Sequence, residues 1–341
     1  MDPFRMEWFK VDDSQPRSQP LGRRCGHTCN VVGNLLYVFG GNDGSRNTND
    51  VHVFDTANGK WSKPLMSGSL PSPRCNHTCS TFGDVLIIFG GADGSMTVTN
   101  DLYFLHTSHN LWCKLHTTGQ SPVKRFGHSA AFCDLSHKLY IFGGCSVSDT
   151  NQLECLNSLH MYAPASSSWT SCSMAGEPPC PRFGHTCSYW EGKLIVIGGQ
   201  DLSGNYFSDI HIFYTGTQMW MKLETPDLVF PPRSGHATVS AEGSLFVFGG
   251  RDDDNEVYQL KIDSGTFTNV LIHGGRPSPR VLLAGDCTDS KNYVFLLMGG
   301  SDGVDSFFDD ILCLRAVPLT LVISESSPTS ENLGYSGIED P

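Results

Sequence analysis

The chain is short of positive charge: 23 Lys and Arg stand against 35 Asp and Glu, a formal net charge of −12. That balance argues against a dedicated nucleic-acid or anionic-membrane surface, since both need concentrated basic side chains. Charged residues of either sign make up 17% of the chain, below the roughly one quarter usual in globular domains. No apolar run approaches the ~20 residues needed to span a bilayer, so no membrane insertion is expected. The N-terminus carries no long apolar stretch of the secretory type. A nucleophile elbow, a Walker loop, a dinucleotide fingerprint and a Cys-x-x-Cys pair are also missing. Ser, His and Asp are plentiful, but no motif places them. The expectation is therefore a protein that is not an enzyme and carries no cofactor or metal.

What is present is glycine and aromatic side chains: 36 Gly, 20 Phe, 10 Tyr and 6 Trp, with 39% apolar residues. This is enough for a large core and excludes global disorder. Thirteen Cys are scattered through the chain. Cys25 and Cys29, like Cys75 and Cys79, stand four apart, about 13 Å on an extended strand. That is too far for a disulfide or a shared zinc. With no secretory signal, reduced thiols in a cytoplasmic protein are the expectation. Asn76-His77-Thr78 matches a glycosylation sequon but falls in a predicted strand.

The order in the sequence is a repeat. A β-type apolar run ending in Gly-Gly occurs six times, at 35–41, 85–91, 139–144, 194–199, 245–250 and 293–300, and the second glycines are 50, 53, 55, 51 and 50 residues apart. Before each doublet stands an Arg, five times as Arg-x-x-His: Arg24/His27, Arg74/His77, Arg125/His128, Arg182/His185 and Arg233/His236. The sixth copy keeps Arg280 but has Leu283 in place of the His. After each doublet come a polar turn, a second β-type run and, in the first five copies, an aromatic: Trp61, Trp112, Trp169, Trp220 and Phe267. Each unit predicts four short antiparallel strands separated by Gly, Pro, Asn and Asp turns. One such sheet cannot bury both faces alone, whereas six around an axis can, and they leave only short protected edges.

These residues resemble the kelch repeat, with its double glycine and downstream aromatic, over about residues 6–316. The resemblance implies an all-β fold, a six-bladed kelch β-propeller with four antiparallel strands per blade. The sixth unit lacks a Trp strand of its own, and the chain opens with the strand-like Met6-Glu7-Trp8-Phe9-Lys10-Val11. The N-terminal strand is therefore expected to close the last blade. Met6 is a candidate natural start, ahead of which Met1–Arg5 would be an appendage. Residues 317–341, rich in Ser, Glu and Pro from Ser324 onward, read as an acidic, flexible tail or linker.

Histidines repeated once per blade are better explained by packing than by metal binding, which needs donors converging on one ion. The aromatics are assigned to the core, and Asp50, Asp101, Asp209 and Asp310, each before a third strand, to turns. The arginines are the partner-binding candidates. In kelch domains the turn into the first strand opens near the channel mouth, and some cytosolic kelch adaptors hold acidic or C-terminal peptides with arginines there. Carried over, the resemblance nominates Arg24, Arg74, Arg125, Arg182, Arg233 and Arg280, whose planar forks suit carboxylates. A structural alternative stands beside it, in which they pair with the Asp after each Gly-Gly (Asp43, Asp93, Asp201, Asp252, Asp302) or with backbone carbonyls. Blade three has Cys145-Ser146 in place of that Asp and carries the longest insertion, 146–157, a place for recognition. The functional expectation is a monomeric, non-catalytic adaptor that binds a protein or acidic peptide on one propeller face. The alternatives are a metal-dependent enzyme or specifier protein using the channel mouth, or the kelch half of a larger polypeptide such as a kelch-phosphatase.

Overall fold

Six four-stranded antiparallel sheets stand around one axis in the computed structural model, which describes residues 4–11, 21–95, 97–224, 230–250 and 255–318. Blade one, Thr28–Val32, Leu35–Phe39, Val51–Asp55 and Lys60–Ser62, shows the plan, with strands numbered outward from the axis. The second strands, such as LLYVF, VLIIF and KLIVI, are apolar at successive positions rather than alternating, and four of five residues in each are fully buried. A run of that kind belongs to a strand covered on both faces, and here a neighbouring blade covers each face.

The aromatics make that cover. Phe39 of blade one lies 5.0 Å, centroid to centroid, from Trp112 on the outer strand of blade two. Phe89 and Trp169, then Phe142 and Trp220, repeat the contact at 5.2 and 5.0 Å. Trp112, Trp169, Trp220 and Phe267 are buried, while Trp61 and Trp8 are half-buried. Each large ring thus joins two blades, a contact that an aliphatic side chain of less area would make more weakly.

The N-terminal strand closes the ring. Phe4–Lys10 runs antiparallel to Ile311–Pro318, in register from Phe4 opposite Pro318 to Lys10 opposite Leu312. Trp8 then packs on Phe248 of blade five, centroids 6.1 Å apart, as the other outer-strand tryptophans pack on their preceding blades. Met6 and Ala316 face each other, and the closing ladder runs two residue pairs beyond them at that end, to Phe4 opposite Pro318. Residues 319–341, with the acidic stretch from Ser324, lie outside the described residues.

One feature had no signal in the sequence. Ser67–Gly68, Thr118–Gly119, Ala175–Gly176 and Ile272–His273, on the links between blades, each pair in parallel with the outer strand of the blade that follows. Among the described residues, helical structure is limited to the 3-10 turn Pro164–Ser166, and no helix is long and apolar enough to cross a membrane.

Candidate partner-binding face

The residue before each repeated His, or before Leu283, meets its counterparts at the axis. Gly26 N–H donates to Leu282 O at 3.1 Å, Asn76 to Gly26 at 2.8, Gly127 to Asn76 at 2.9, Gly184 to Gly127 at 2.9, Gly235 to Gly184 at 2.7 and Leu282 to Gly235 at 2.7 Å. Six blades thus share one closed circle of backbone hydrogen bonds. All six residues have positive φ, from +53° to +69°. Four are glycine and Asn76 tolerates the conformation, but Leu282, at φ +55°, holds it against the steric preference of an L side chain.

A second circle lies just outside the first. The second glycine of each doublet donates to the Arg carbonyl of the next blade: Gly41 to Arg74, Gly91 to Arg125, Gly144 to Arg182, Gly199 to Arg233, Gly250 to Arg280 and, closing the ring, Gly300 to Arg24, at 2.8–3.0 Å. The need for glycine is steric as well as conformational. At Gly199, φ is +99° and a Cβ would meet His185 Cβ at 2.8 Å and Phe183 O at 2.9 Å.

The six nominated arginines are not at the surface. Their relative exposures are 3% for Arg24, 1% for Arg74, 0% for Arg125, Arg182 and Arg233, and 4% for Arg280. Each Nη1 donates to the first glycine carbonyl of its own blade's doublet, from Arg233 to Gly249 O at 2.7 Å to Arg24 to Gly40 O and Arg280 to Gly299 O at 3.1 Å. In blades two to six the Nε donates to a carbonyl on the link leading in, as when Arg182 Nε donates to Cys180 O at 3.0 Å. Among the described residues, their aspartate partners are not those that follow Gly-Gly but those before the third strands. Arg182 holds Asp209 with both nitrogens, at 2.5 and 2.9 Å, and Arg280 holds Asp310 at 2.7 and 3.3 Å. Arg24 reaches Asp50 at 3.2 Å, and Arg74 lies 3.8 Å from Asp101. Asp50, Asp101, Asp209 and Asp310 are therefore ion-pair partners as well as turn residues, because the buried guanidinium needs a counter-charge.

Two of these aspartates also hold a histidine. In Asp50-Val51-His52 and Asp209-Ile210-His211 the His Nε2 lies 2.9 Å from the carboxylate. Burial disfavours ionisation of Asp209, but the bonds from Arg182 and His211 more than offset it and hold the carboxyl well below its ordinary range. Blade three departs from this pattern: Arg125 Nη2 bonds only the hydroxyl of Ser158, at 3.2 Å, and burial lowers the Arg125 pKa to about 10. The residue before each of these positions is Asn in four blades, and its Nδ2 donates to a proline carbonyl 22 residues on: Asn49 to Pro71, Asn100 to Pro122, Asn157 to Pro179 and Asn255 to Pro277, at 2.9–3.5 Å. This clamp escaped the sequence reading, although its fixed 22-residue spacing to a proline was visible there.

The aspartates after Gly-Gly fold their own loops. Asp43, Asp93, Asp201 and Asp302 accept from backbone N–H groups two to four residues ahead, and Asp252 lies outside the described residues. Hydrogen bonds from Ser95, from Asn205 and from the Ser306 amide hold Asp93, Asp201 and Asp302 below the ordinary carboxylate range.

The five histidines sit between blades. His77 Nε2 lies 3.2 Å from Thr28 Oγ1 of the preceding blade, His128 2.9 Å from Thr78 and His236 3.0 Å from Thr186. Phe39, Phe89 and Phe142 meet the rings of His77, His128 and His185 edge-on. Burial, reinforced by the adjacent Arg, lowers His27, His185 and His236 to about 3 and His77 and His128 well below the ordinary value. The five rings border an axial recess of about 140 Å³. Among the described residues, no three His, Cys, Asp or Glu side chains are arranged to hold a metal ion.

What this frame exposes is the set of loops after the Gly-Gly doublets, all at one end of the strands. Leu153 is 46% exposed on the blade-three loop, Leu202 and Tyr206 are 47% and 53% exposed on the blade-four loop, and Val304 is 78% exposed on the blade-six loop. The Leu202 amide and the Asp201 carboxylate lie close enough to the Cys155 thiol to influence its ionisation, so the loops of blades three and four adjoin. The blade-three insertion is itself a hairpin, Cys145–Val147 against Leu153–Cys155.

Comparison with known proteins agrees with this architecture. The chain matches the model of the KLHDC2/KLHL20/DRC7 Kelch-repeats domain over residues 1–95 and 76–300. It is 30% identical to the host cell factor homolog hcf-1 of Caenorhabditis elegans, over 97% of this chain and 46% of that protein. It is 26% identical to the host cell factor of Drosophila melanogaster, over 90% and 22%, and 27% identical to host cell factor 1 of Homo sapiens, over 87% and 16%. The chain thus spans less than half the length of these relatives. With six in-phase repeats, six blades and a family match over most of its length, the chain belongs to the kelch-repeat domain family.

Proposed function

We propose that this propeller is a non-catalytic protein-interaction scaffold that meets its partner with the loops following the Gly-Gly doublets. The observation that carries the reading is the contrast within that end of the molecule. Its frame is tied by two closed circles of backbone hydrogen bonds, while Leu153, Leu202, Tyr206 and Val304 stand exposed on loops borne by that frame. Apolar side chains held out on a rigid support favour association with another protein surface.

The six arginines serve this reading as internal ties that hold the loops, not as the contacts themselves. With their guanidinium groups buried, this reading places the contact on the loops and not on an acidic ligand held by the arginines. The loops at that end instead present Asp43, Asp93, Asp149, Glu154, Asp201, Asp302 and Asp305. The reading is tested by affinity capture with three variants. Leu153→Ser/Leu202→Ser/Tyr206→Ser should lose the captured protein with little change in melting. Leu135→Ser, at the opposite end of the strands and 81% exposed, should retain it. Arg182→Ala should lower the melting temperature, with capture by the folded fraction unchanged. Capture lost with Leu135→Ser but kept in the triple variant would reverse the face, and capture lost at Arg182 without a change in melting would return the arginines to the contact surface.

A further inference from the structure

The blade-three hairpin holds two thiols in direct contact. Cys145 and Cys155 are cross-strand partners with their sulfurs 3.6 Å apart. The backbone of Cys145 faces away from Cys155: its N–H donates to Phe126 O at 2.8 Å and its carbonyl accepts from Phe126 N–H at 3.0 Å. The neighbouring pair supplies the ladder bond, Leu156 N–H to Gly144 O at 2.8 Å. Cys145 and Cys155 therefore occupy a non-hydrogen-bonded position of an antiparallel pair, where the Cα atoms lie about 4.5 Å apart and the side chains approach most closely. That separation falls within the range a disulfide spans. Closing the remaining gap between the sulfurs needs side-chain rotation rather than movement of a blade. The ten-residue spacing of the two cysteines gave no sign of this in the sequence, because it depends on a hairpin that only blade three has among the described residues.

We propose that Cys145 and Cys155 form a reversible disulfide that staples the blade-three hairpin, with a low-molecular-weight disulfide as the oxidant. With glutathione disulfide, the half-buried Cys155 thiolate attacks one sulfur of the oxidant, forming a mixed disulfide and releasing one glutathione thiolate. Cys145, buried directly behind it, then loses its proton and attacks the Cys155 sulfur, and the second glutathione leaves. In balance, two protein thiols lose two electrons and two protons, and one glutathione disulfide becomes two glutathione thiols. Burial raises both cysteines above the ordinary thiol range, so the exchange is slow at neutral pH and quickens as pH rises. The result closes residues 146–154 into a loop on the end of the propeller that bears the exposed loops. The staple does not depend on what that end binds.

The test uses the full chain brought to equilibrium in graded mixtures of reduced and oxidised glutathione, from both the reduced and the oxidised side. After acid quenching and alkylation, peptide mass spectrometry reports each of the thirteen cysteines. The expected result is a cross-linked Cys145–Cys155 peptide, two hydrogens lighter than the reduced pair, in mixtures that leave the other eleven alkylated. In Cys155→Ser, Cys145 should stay alkylated in those same mixtures. The proposal is overturned if the pair is oxidised no earlier than the other cysteines, or if Cys155 accumulates only as its glutathione adduct. The wild-type measurement decides between these outcomes even if the variant folds poorly.

Discussion

Arg125 and Arg182 occupy the same place in successive blades and differ in one partner. Arg182 is neutralised by Asp209, whereas Arg125 is as deeply buried with only Ser158 and two carbonyls, of Gly143 and Val123, to receive its protons. The same exchange of Asp for Ser strips the following histidine of its acceptor. His160, in Ser158-Leu159-His160, is lowered to about 4 by burial and by Arg125. Ser158→Asp should restore the arrangement of blades one and four. Charge-assisted bonds to a buried guanidinium contribute about 1.5–3 kcal/mol in favourable geometry, and desolvation of the new carboxylate opposes part of that. A net stabilisation of roughly 1 kcal/mol by chemical denaturation is expected, with the His160 titration moving up from about 4. A less stable protein with an unmoved His160 would show that the new carboxylate does not reach Arg125. This residue scale is also where the sequence was hardest to interpret. An Arg that follows a Pro-containing link reads as surface, and only the glycine carbonyl 16–19 residues away and the aspartate 26–30 residues away turn it inward.

The strands themselves were legible. The third-strand runs, such as Val51–Asp55, Leu102–His106 and Ile210–Tyr214, fall where the apolar pattern placed them, because each is a short, mostly apolar run bounded by polar turn residues. The short parallel pairs were not legible, since two residues such as Ser67–Gly68 carry no periodicity and pair only because the next blade's outer strand lies alongside. Between the elements, the histidines carry a measurable consequence. Each is buried in neutral form between two blades, with a folded-state pKa far below the ordinary 6.5. As pH falls through about 6.5, the unfolded chain takes up protons that the folded chain refuses until about pH 3. Stability is thus fully present above about 6.5 and lost progressively below it, by up to ~1.4 kcal/mol per pH unit for each histidine. The melting temperature should fall steeply between pH 6.5 and 4.5, before carboxylates with lowered pKa values begin to protonate. Leu283 occupies the equivalent place in blade six and is buried there, so the fold accommodates leucine. His185→Leu should therefore flatten the decline by one histidine's share, whatever its effect at pH 7. A melting temperature level from pH 7 to 4.5 would contradict burial of the neutral rings.

At the scale of the whole molecule, stability depends on a joint that the chain cannot make until both its ends are in place. Five blades are each one contiguous segment, but blade six combines Ala284–Asp289, Val294–Met298 and Ile311–Pro318 with Phe4–Lys10 from the other end of the chain. The sequence showed this through an imbalance, a Trp strand missing at the end and an unassigned one at the start. The extent of the ladder was not visible there, because the two pairs beyond Met6 and Ala316 carry no repeat marker. Met6 is 4% exposed within the core shared by blades five and six, where Trp8 packs beside it. Met6→Ala should cost about 2–5 kcal/mol, as truncation of a buried methionine does. Removing residues 1–10 should do more, because it also strips seven paired residues from Ile311–Pro318 and leaves that strand as an open edge. An open edge seeks another strand, so the shortened protein should melt earlier and associate in a concentration-dependent way, seen by light scattering. A synthetic peptide of residues 1–11 added in trans should restore both the melting temperature and the monodisperse state. If the shortened chain melts like the intact one, the strand is an ornament on blade six. If it is destabilised but the peptide does not rescue it, the joint requires the covalent link and not merely the strand.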